Sequence, residues 1–223
     1  FVGCIRGSKS ATRIIETRAN KLFEAFSKKQ KLYDSYDLFL NCSNKNDFAA
    51  ILNEMNESEI RQLFDEIKLK TNRDIFGQGY LFRIIDSSEI IDINLMTDDE
   101  KQNGIHDSRN DHFVLYDKGD RDGNRWFLES PFYIDWSKST VKFLKDNSGK
   151  KGKGMPVVRN PQYYFRPGLC WSDINTTYIK SRLKLASVHD VKSMSLFSVS
   201  SQITEKYIVC ILNSKFMSEF IDS

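Results

Sequence analysis

The sequence lacks long apolar runs. None of its 223 residues lies in a window that approaches the roughly 18 consecutive apolar residues a membrane-spanning helix requires. A secretory signal peptide is also missing. We therefore expect a chain that neither crosses nor binds a membrane. The first residue is Phe1 rather than Met, which is typical of an internal fragment or a trimmed chain.

Closely spaced cysteines are missing as well. The four cysteines are scattered along the chain at Cys4, Cys42, Cys170 and Cys210, without a C-x-x-C pair. This spacing argues against a disulfide framework and against a structural zinc site. We expect free thiols in a reducing, cytoplasmic environment.

The chain has little net charge, because 33 Lys and Arg face 30 Asp and Glu to give +3. The distribution is uneven. The window from Lys138 to Arg166 holds eight basic residues and one acid, Asp146, so it carries +7 and the remaining residues carry −4. Within it, residues 148–154 contain three glycines and three lysines, a composition that disfavours the interior of a helix or strand.

Apolar residues are plentiful, at 40% of the chain with 13% aromatic, enough for one large or two small cores. In the first third they recur at helical spacing and predict three amphipathic helices. Asn46 and Asp47 are the cap candidates of the second helix. The three apolar stripes are Ile15, Ala19, Leu22, Phe23 and Phe26; Phe48, Ile51, Leu52 and Met55; and Ile60, Leu63, Phe64 and Ile67.

After Gly77 the pattern changes to short β-rich runs punctuated by turn residues. We predict a hairpin from the runs 112–116 and 125–128, and a short helix from Ser137 to about Lys145. Further strands are predicted at 80–85, 89–95, 155–158, 162–165 and 169–171, and a helix at 204–221. The fold class is therefore α+β: a helical N-terminal third (1–77), then a mixed, mainly antiparallel β domain (78–223) with a C-terminal helix.

Several short motifs suggest chemistry that their context does not favour. Residues 116–124 resemble a calcium loop, but the first ligand position is Lys118, whose ammonium would repel the cation. The Asp-Gly dipeptide at 122–123 favours a hairpin turn instead. Glu66 and Lys68 match a nuclease E-x-K motif, yet lie in a helical stripe where positions i and i+2 do not face each other. The adjacent pair His189 and Asp190 would point to opposite faces of a strand.

Two other motifs are incomplete. Asn160-Pro-Gln-Tyr163 lacks the second proline of the Asn-Pro-Pro-Tyr tetrapeptide of adenine methyltransferases, and no glycine-rich cofactor loop precedes it. We interpret it as a turn. The lysine–glycine stretch lacks the order of a nucleotide-binding P-loop. Lysine and glycine nevertheless suit sequence-independent phosphate contact, and the adjacent aromatic, Arg and Asn residues suit contacts with bases.

Four segments carry a family resemblance. Residues 161–174, with the pattern Tyr-Phe-x-x-Gly-x-x-Trp-Ser, resemble the target-recognition region of adenine-specific DNA methyltransferases. The segment 113–119 followed by Trp126 resembles the family's "YDKG…W", 189–197 resembles "DVKGSSIF" and 211–215 resembles "LLNSK". Together they resemble the TaqI-like C-terminal specificity domain, which also occurs in fused type IIG restriction–modification proteins.

The resemblance implies a bacterial DNA sequence-recognition domain in residues 78–223, with residues 1–77 as a helical extension or spacer. The family's cofactor loop and catalytic tetrapeptide are missing from this sequence. We therefore expect it to bind double-stranded DNA without catalytic residues, metal or cofactor of its own. The parent protein would be an adenine methyltransferase that uses S-adenosylmethionine, and whether it also has endonuclease activity stays open. Its methyltransferase domain is the second expected partner, besides DNA. Two alternatives stay open: a nuclease or methyltransferase module in residues 1–77, and a protein-interaction module.

The resemblance also assigns roles to residues. Trp126, Trp171 and Phe197 would anchor the core that positions the recognition loops. The expected phosphate contacts are Lys145, Lys150, Lys151 and Lys153, with Lys118 and Arg121. The expected base contacts are Arg159, Asn160, Arg166 and Asn175.

Overall fold

The computed structural model describes residues 2–28, 30–77, 81–120, 123–152, 155–172, 179–199 and 202–221. The chain forms two compact units, residues 1–87 and residues 88–223. The division lies after residue 87 rather than near residue 77, because the strand that follows residue 81 belongs to the first unit. Each unit has its own architecture.

Among its described residues, the first unit has three α-helices, short 3-10 turns and a two-stranded parallel ladder. Its elements are β1 (Val2–Ile5), α1 (Lys9–Lys28), α2 (Lys45–Glu54), α3 (Glu57–Thr71) and β2 (Phe82–Ile85). In the ladder, Val2 lies opposite Phe82 and Ile5 opposite Ile85. The three predicted stripes are confirmed, because each supplies fully buried side chains, among them Leu22, Phe48 and Phe64.

Side-chain caps determine where α2 and α3 begin. The Asn44 side chain accepts hydrogen bonds from the backbone N–H groups of Asn46 and Asp47, and Asp47 accepts from the Asn44 N–H. Asn44 is therefore the cap, and the prediction of Asn46 or Asp47 was wrong by a few residues. Asn56 and Glu59 form the same reciprocal capping box at α3.

A buried ion pair ties the first unit together. The Arg18 guanidinium binds the Glu57 carboxylate with two hydrogen bonds of 3.0 and 2.8 Å. Arg18 also donates to the Phe82 carbonyl, and the Glu57 carboxylate accepts from the Ile84 N–H. One bidentate pair thus joins α1 and α3 to the edge of β2.

The second unit contains two small sheets and four helices among its described residues. Its strands are β3 (Phe113–Asp117), β4 (Trp126–Phe127), β5 (Phe132–Asp135), β6 (Gly168–Ser172), β7 (Arg182–Lys184), β8 (Val188–His189) and β9 (Ser193–Leu196). Its helices are α4 (Asp98–Asn103), α5 (Lys138–Asn147), α6 (Glu205–Leu212) and α7 (Lys215–Ile221).

Within this unit, β3 lies between β5 and β8, and a second sheet runs in the order β4-β7-β6-β9. The antiparallel ladders β3–β5, β6–β7 and β6–β9 are longer than the parallel ladders β3–β8 and β4–β7. The predicted α+β class is confirmed. The buried indole of Trp136 packs with Val114, Ile134 and Val141 in the core beside α5.

Several predicted strands are wrong in detail. Residues 89–95 form no continuous strand: Ile90 makes an isolated bridge to Phe113, and Ile93–Leu95 form a 3-10 turn in which the Asp92 carboxylate accepts a hydrogen bond from the Asn94 N–H. The predicted hairpin of residues 112–116 and 125–128 is also absent from the described ladders. β3 pairs with β5 and β8, whereas β4 pairs with β7.

The segments 155–158 and 162–165 form no strand in the described structure either; a 3-10 turn spans Pro161–Tyr163. The C-terminal helical prediction is confirmed with a break at Asn213, where α6 ends. Of the predicted stripe on α6, Tyr207 is 61% exposed, and Val209 is the buried residue instead. All four cysteines are free thiols. None of the helices within the described residues is both long and apolar enough to cross a membrane.

Candidate nucleic-acid interface

The basic window begins on α5, which Ser137 caps as predicted. The exposed Lys145 ammonium donates to the Gln102 carbonyl at 2.8 Å and to Asn103 Oδ1 at 3.2 Å. Both acceptors are neutral, so the contacts tether α5 to the end of α4 without cancelling the lysine charge. Lys145 is thus held in place and remains a cation at the surface.

The lysine–glycine stretch is part of a closed loop. Ser148 Oγ accepts from the Val158 N–H at 2.9 Å, and the Gly149 N–H donates to the Pro156 carbonyl at 3.1 Å. These bonds bring the two ends of residues 148–158 together. Lys150 and Lys151 are exposed on the loop, and the Lys150 ammonium contacts Asn147 Oδ1. Lys153, also predicted to contact phosphate, lies outside the described residues.

The next segment, residues 159–168, is shaped by two residues with a positive φ angle. Asn160 adopts φ +50° at the start of the 3-10 turn, and Phe165 adopts φ +60°. The Phe165 N–H donates to the Ser187 carbonyl at 3.0 Å, which holds this conformation. Arg159 and Asn160, both predicted base contacts, are exposed at the beginning of the segment.

Arg166 lies on two stacked aromatic rings. The rings of Tyr163 and Phe197 are nearly parallel, with an angle of 8° and centroids 5.2 Å apart. The Arg166 guanidinium carbon lies 5.5 Å from the Tyr163 centroid and 5.6 Å from that of Phe197. We call the stacked rings of Tyr163 and Phe197 the aromatic shelf. Phe197, predicted as a core anchor, is half-buried and supports an exposed arginine.

A buried lysine lies behind the aromatic shelf. The Lys184 ammonium donates to the carbonyls of Arg166 and Ser187, at 3.3 and 3.4 Å, and lies 5.5 Å from the Phe197 ring centroid. Burial lowers the pKa of Lys184, although the nearby Asp117 acts in the opposite direction. Because Lys184 bonds to the backbone of Arg166 itself, it fixes the loop from which that side chain projects.

The loop after β3 contains the other predicted phosphate contacts. Lys118 is half-buried, with its ammonium 5.2 Å from the Phe132 ring centroid. The Asp120 backbone is bonded through both its N–H and its carbonyl to Ser172 Oγ, each at 2.8 Å. Among the described residues, no group of His, Cys, Asp and Glu could hold a metal ion. Arg121 and Asn175 lie outside the described residues.

The predicted contact residues therefore fall into three places. Lys145, Lys150 and Lys151 lie on α5 and its closed loop. Arg159, Asn160 and Arg166 precede β6, which begins at Gly168. Lys118 follows β3 of the other sheet, in the loop whose Asp120 backbone bonds to Ser172, the last residue of β6.

A buried charge cluster, which the sequence did not predict, joins the two sheets. The Arg182 guanidinium, 2% exposed, pairs with Asp117 at 3.0 Å, and the Ser193 hydroxyl donates to the same carboxylate at 2.6 Å. Burial and the adjacent Asp117 carboxylate raise the pKa of Cys170 to about 12. These contacts connect β3 with β6, β7 and β9. The available signal was that Asp117 and Ser193 lie in two of the family-like motifs.

The four family-like segments are neighbours in the fold. β3 pairs with β8, placing Asp117 opposite His189, and β6 pairs with β9. The fourth segment contributes Asn213, whose side chain accepts from the Ser181 N–H at 2.9 Å and donates to the Ser181 carbonyl at 2.8 Å. Asn213 thereby anchors the end of α6 to the strand that follows Ser181.

The other motifs have structural surroundings. Glu66 and Lys68 lie on α3, as the helical interpretation predicted. The His189 ring packs edge-on against Tyr164 at 4.8 Å, and burial, with a smaller effect of Lys184, lowers its pKa to about 4. Asp190 hydrogen-bonds to the Tyr116 side chain, so the described contacts do not form a His–Asp catalytic pair.

Comparison with known proteins adds no family to this picture. No protein-family model matches the chain, and no curated protein matches it. Functional inference therefore depends on the geometry and charge of the described residues, together with the four family-like segments.

Proposed function

We propose that this chain is the DNA sequence-recognition domain of a bacterial adenine-specific restriction–modification methyltransferase. One observation supports this most strongly. Among the described residues, Lys145, Lys150, Lys151, Arg159 and Arg166 are exposed and form no ion pair with a described carboxylate. Lys145 and Lys150 contact neutral oxygens, and Arg166 contacts aromatic rings. Such cations are available to an anionic ligand.

The lysines would bind the DNA backbone. Each ammonium that neutralises a phosphate releases condensed counterions, so binding strengthens as salt is lowered. The closed loop at residues 148–158 presents Lys150 and Lys151 together, which suits contact with adjacent phosphates. These contacts orient the protein on the duplex and carry no sequence information.

The segment before β6 would read the bases. An arginine can donate two parallel hydrogen bonds to O6 and N7 of guanine in the major groove, and an asparagine can pair in the same way with adenine. Arg166 is oriented by the aromatic shelf, while Arg159 and Asn160 are exposed on the adjoining turn. We assign base recognition to these three side chains.

In this proposal the chemistry belongs to the parent protein. Its methyltransferase domain would bind S-adenosylmethionine, flip the target adenine out of the duplex and methylate it. The recognition domain would bind the same duplex beside that adenine. Three of the family-like segments contribute Asp117, Cys170 and Ser193 to the buried charge cluster, and the fourth is bonded to Ser181 beside Arg182. This proximity supports the assignment to this class.

Charge reversal tests the proposal. The variant Lys150→Glu/Lys151→Glu should bind a random-sequence duplex at least tenfold more weakly than the unaltered chain in 50 mM salt, measured by fluorescence anisotropy. The matched control, Lys45→Glu/Lys68→Glu, changes the net charge equally at exposed positions of the first unit. It should bind almost normally. Equal weakening by both variants, or no DNA binding by the unaltered chain, would contradict the proposal.

The C-terminal helices favour a second role, docking a protein partner. Phe216 and Phe220 on α7 are 72% and 67% exposed, and their rings stack with centroids 6.3 Å apart. Exposed aromatic residues of this kind are enriched at protein interfaces. The methyltransferase domain of the parent protein is the partner we assign to this surface. A Phe216→Ser/Phe220→Ser variant should keep its affinity for DNA while losing affinity for that domain in a pull-down.

A further inference from the structure

Trp126 has a conformation that the core-anchor prediction does not explain. Its side chain is 50% exposed, whereas Trp136 fills the core and is 4% exposed. Its φ angle is +71°, in the left-handed region that favours glycine. A large aromatic residue in this region is strained, and residues strained in this way cluster at functional sites. Trp126 is therefore not a core residue, and its backbone conformation is unfavourable for tryptophan.

The surrounding structure enforces this conformation. The Trp126 N–H donates to the Ser181 carbonyl at 3.0 Å, and Trp126 lies opposite Arg182 in the β4–β7 ladder. Arg182 is itself fixed by its buried pair with Asp117. The strained backbone is thus attached to the most firmly held part of the second unit.

The loop that leads into Trp126 is also constrained. Asn124 bonds to the Asp120 carboxylate through both its backbone and its side chain, and Asp120 is anchored to Ser172. Gly123 has φ +66°, and the Lys180 side chain occupies the space where a Cβ would be, with Cδ 2.7 Å from that position. Trp126 therefore projects from a fixed backbone, and the Lys180 side chain lies against Gly123, three residues earlier in the chain.

We propose that Trp126 is a DNA-contact residue that stacks its indole against a base or sugar of the bound duplex. This inference rests on the proposed function. Exposed aromatic rings stack on bases that lie outside the duplex stack, and flipping an adenine creates such unstacked positions. Rigidity reduces the entropy lost on binding, which gives the backbone strain a function. Trp126 lies opposite Arg182, whose guanidinium also donates to the Lys118 carbonyl at 3.4 Å.

Tryptophan fluorescence of the full 223-residue chain tests this directly. A duplex enriched by selection against the unaltered protein should quench its emission. Trp126→Phe should abolish most of the quenching, because Trp136 is buried in the core and Trp171 is half-buried.

Trp126→Gly should weaken binding about tenfold, by the usual effect of losing one stacking contact. Because glycine accepts a positive φ, this variant should melt no lower than the unaltered chain. Leu95→Ala, which shortens another exposed apolar side chain, is the control and should bind normally.

Each outcome separates the two proposals. If the unaltered chain binds DNA and Trp126→Gly binds less tightly without losing stability, the assignment holds. If it binds DNA while both Trp126 variants keep the quenching and the affinity, Trp126 is not a contact residue and the proposed function stands. If the unaltered chain binds no DNA, both proposals fail. A Trp126→Gly variant that melts much lower would show that the indole is structural.

Discussion

Two groups of arginines in this protein have contrasting environments. In the interior, Arg18 and Arg182 each bind a carboxylate that is also largely buried. On the surface, Arg159 is exposed, and Arg166 rests on aromatic rings without a described carboxylate partner. A buried guanidinium needs its counter-charge, because desolvation without one costs several kcal/mol. Only the second kind of arginine is available to a ligand, so the comparison separates residues that build the fold from residues that can bind.

The largest effect should come from disrupting a buried pair. Arg182→Met leaves the Asp117 carboxylate buried without its guanidinium partner. We expect a loss of about 3–5 kcal/mol in the free energy of unfolding. Urea denaturation measures it. Arg166→Met, the exposed counterpart, should lose about 1 kcal/mol or less, since an exposed cation–π contact is worth little more. Equal losses would contradict the distinction between the two kinds of arginine.

The next effect should appear in sequence preference. Lys184→Met removes the ammonium that holds the Arg166 backbone while keeping an unbranched side chain of similar length. It should relax the preference at the base pair that Arg166 reads, by about 1–3 kcal/mol, as Arg166→Ala does. The double variant should be no worse than either single one. Binding to mutated duplexes measures this preference. If Lys184→Met leaves the preference intact while Arg166→Ala abolishes it, Lys184 does not position Arg166.

The helical third of the molecule was predictable because its signals are local. The stripe of Leu22 and Phe26 follows the 3.6-residue period. The start of α2 was predicted to within three residues, since the cap is Asn44 rather than Asn46 or Asp47. Ser137 caps α5, as predicted. The error at residues 89–95 had a local cause too: the Asp92 side chain closes a turn that the apolar pattern conceals.

The β region was less predictable because strand partners are set by distant residues. The Asp- and Gly-rich loop before Trp126 suggested a hairpin, but β4 pairs with β7, more than fifty residues along the chain. Nothing local shows that Asp117 and Arg182 meet in the interior. Likewise, the charge of Lys138–Arg166 was visible in the sequence, whereas the aromatic shelf under Arg166 needs Phe197 from another strand region.

A smaller effect should appear in the pH dependence of stability. Burial, with a smaller contribution from Lys184, lowers the pKa of folded His189 from 6.5 to about 4, while Asp117 opposes this. The unfolded chain therefore binds a proton at a higher pH than the folded chain. The stability gained by burying the neutral imidazole is fully present above pH 6.5 and is lost as the pH falls toward 4. Between these pH values the melting temperature should fall more steeply with decreasing pH for the unaltered protein than for His189→Gln. If the two plots of melting temperature against pH are parallel, His189 is not buried as a neutral imidazole.

The central claim, that the exposed cations bind DNA, is tested most directly by the salt dependence of binding. The logarithm of the association constant should fall linearly with the logarithm of salt concentration, by about 0.9 for each phosphate neutralised. Lys150→Glu/Lys151→Glu should make this slope shallower by about 2. Arg182 lies buried and paired, so it should not contribute to the slope. DNA binding that is independent of salt, or a slope that the Lys150/Lys151 variant leaves unchanged, would contradict the account.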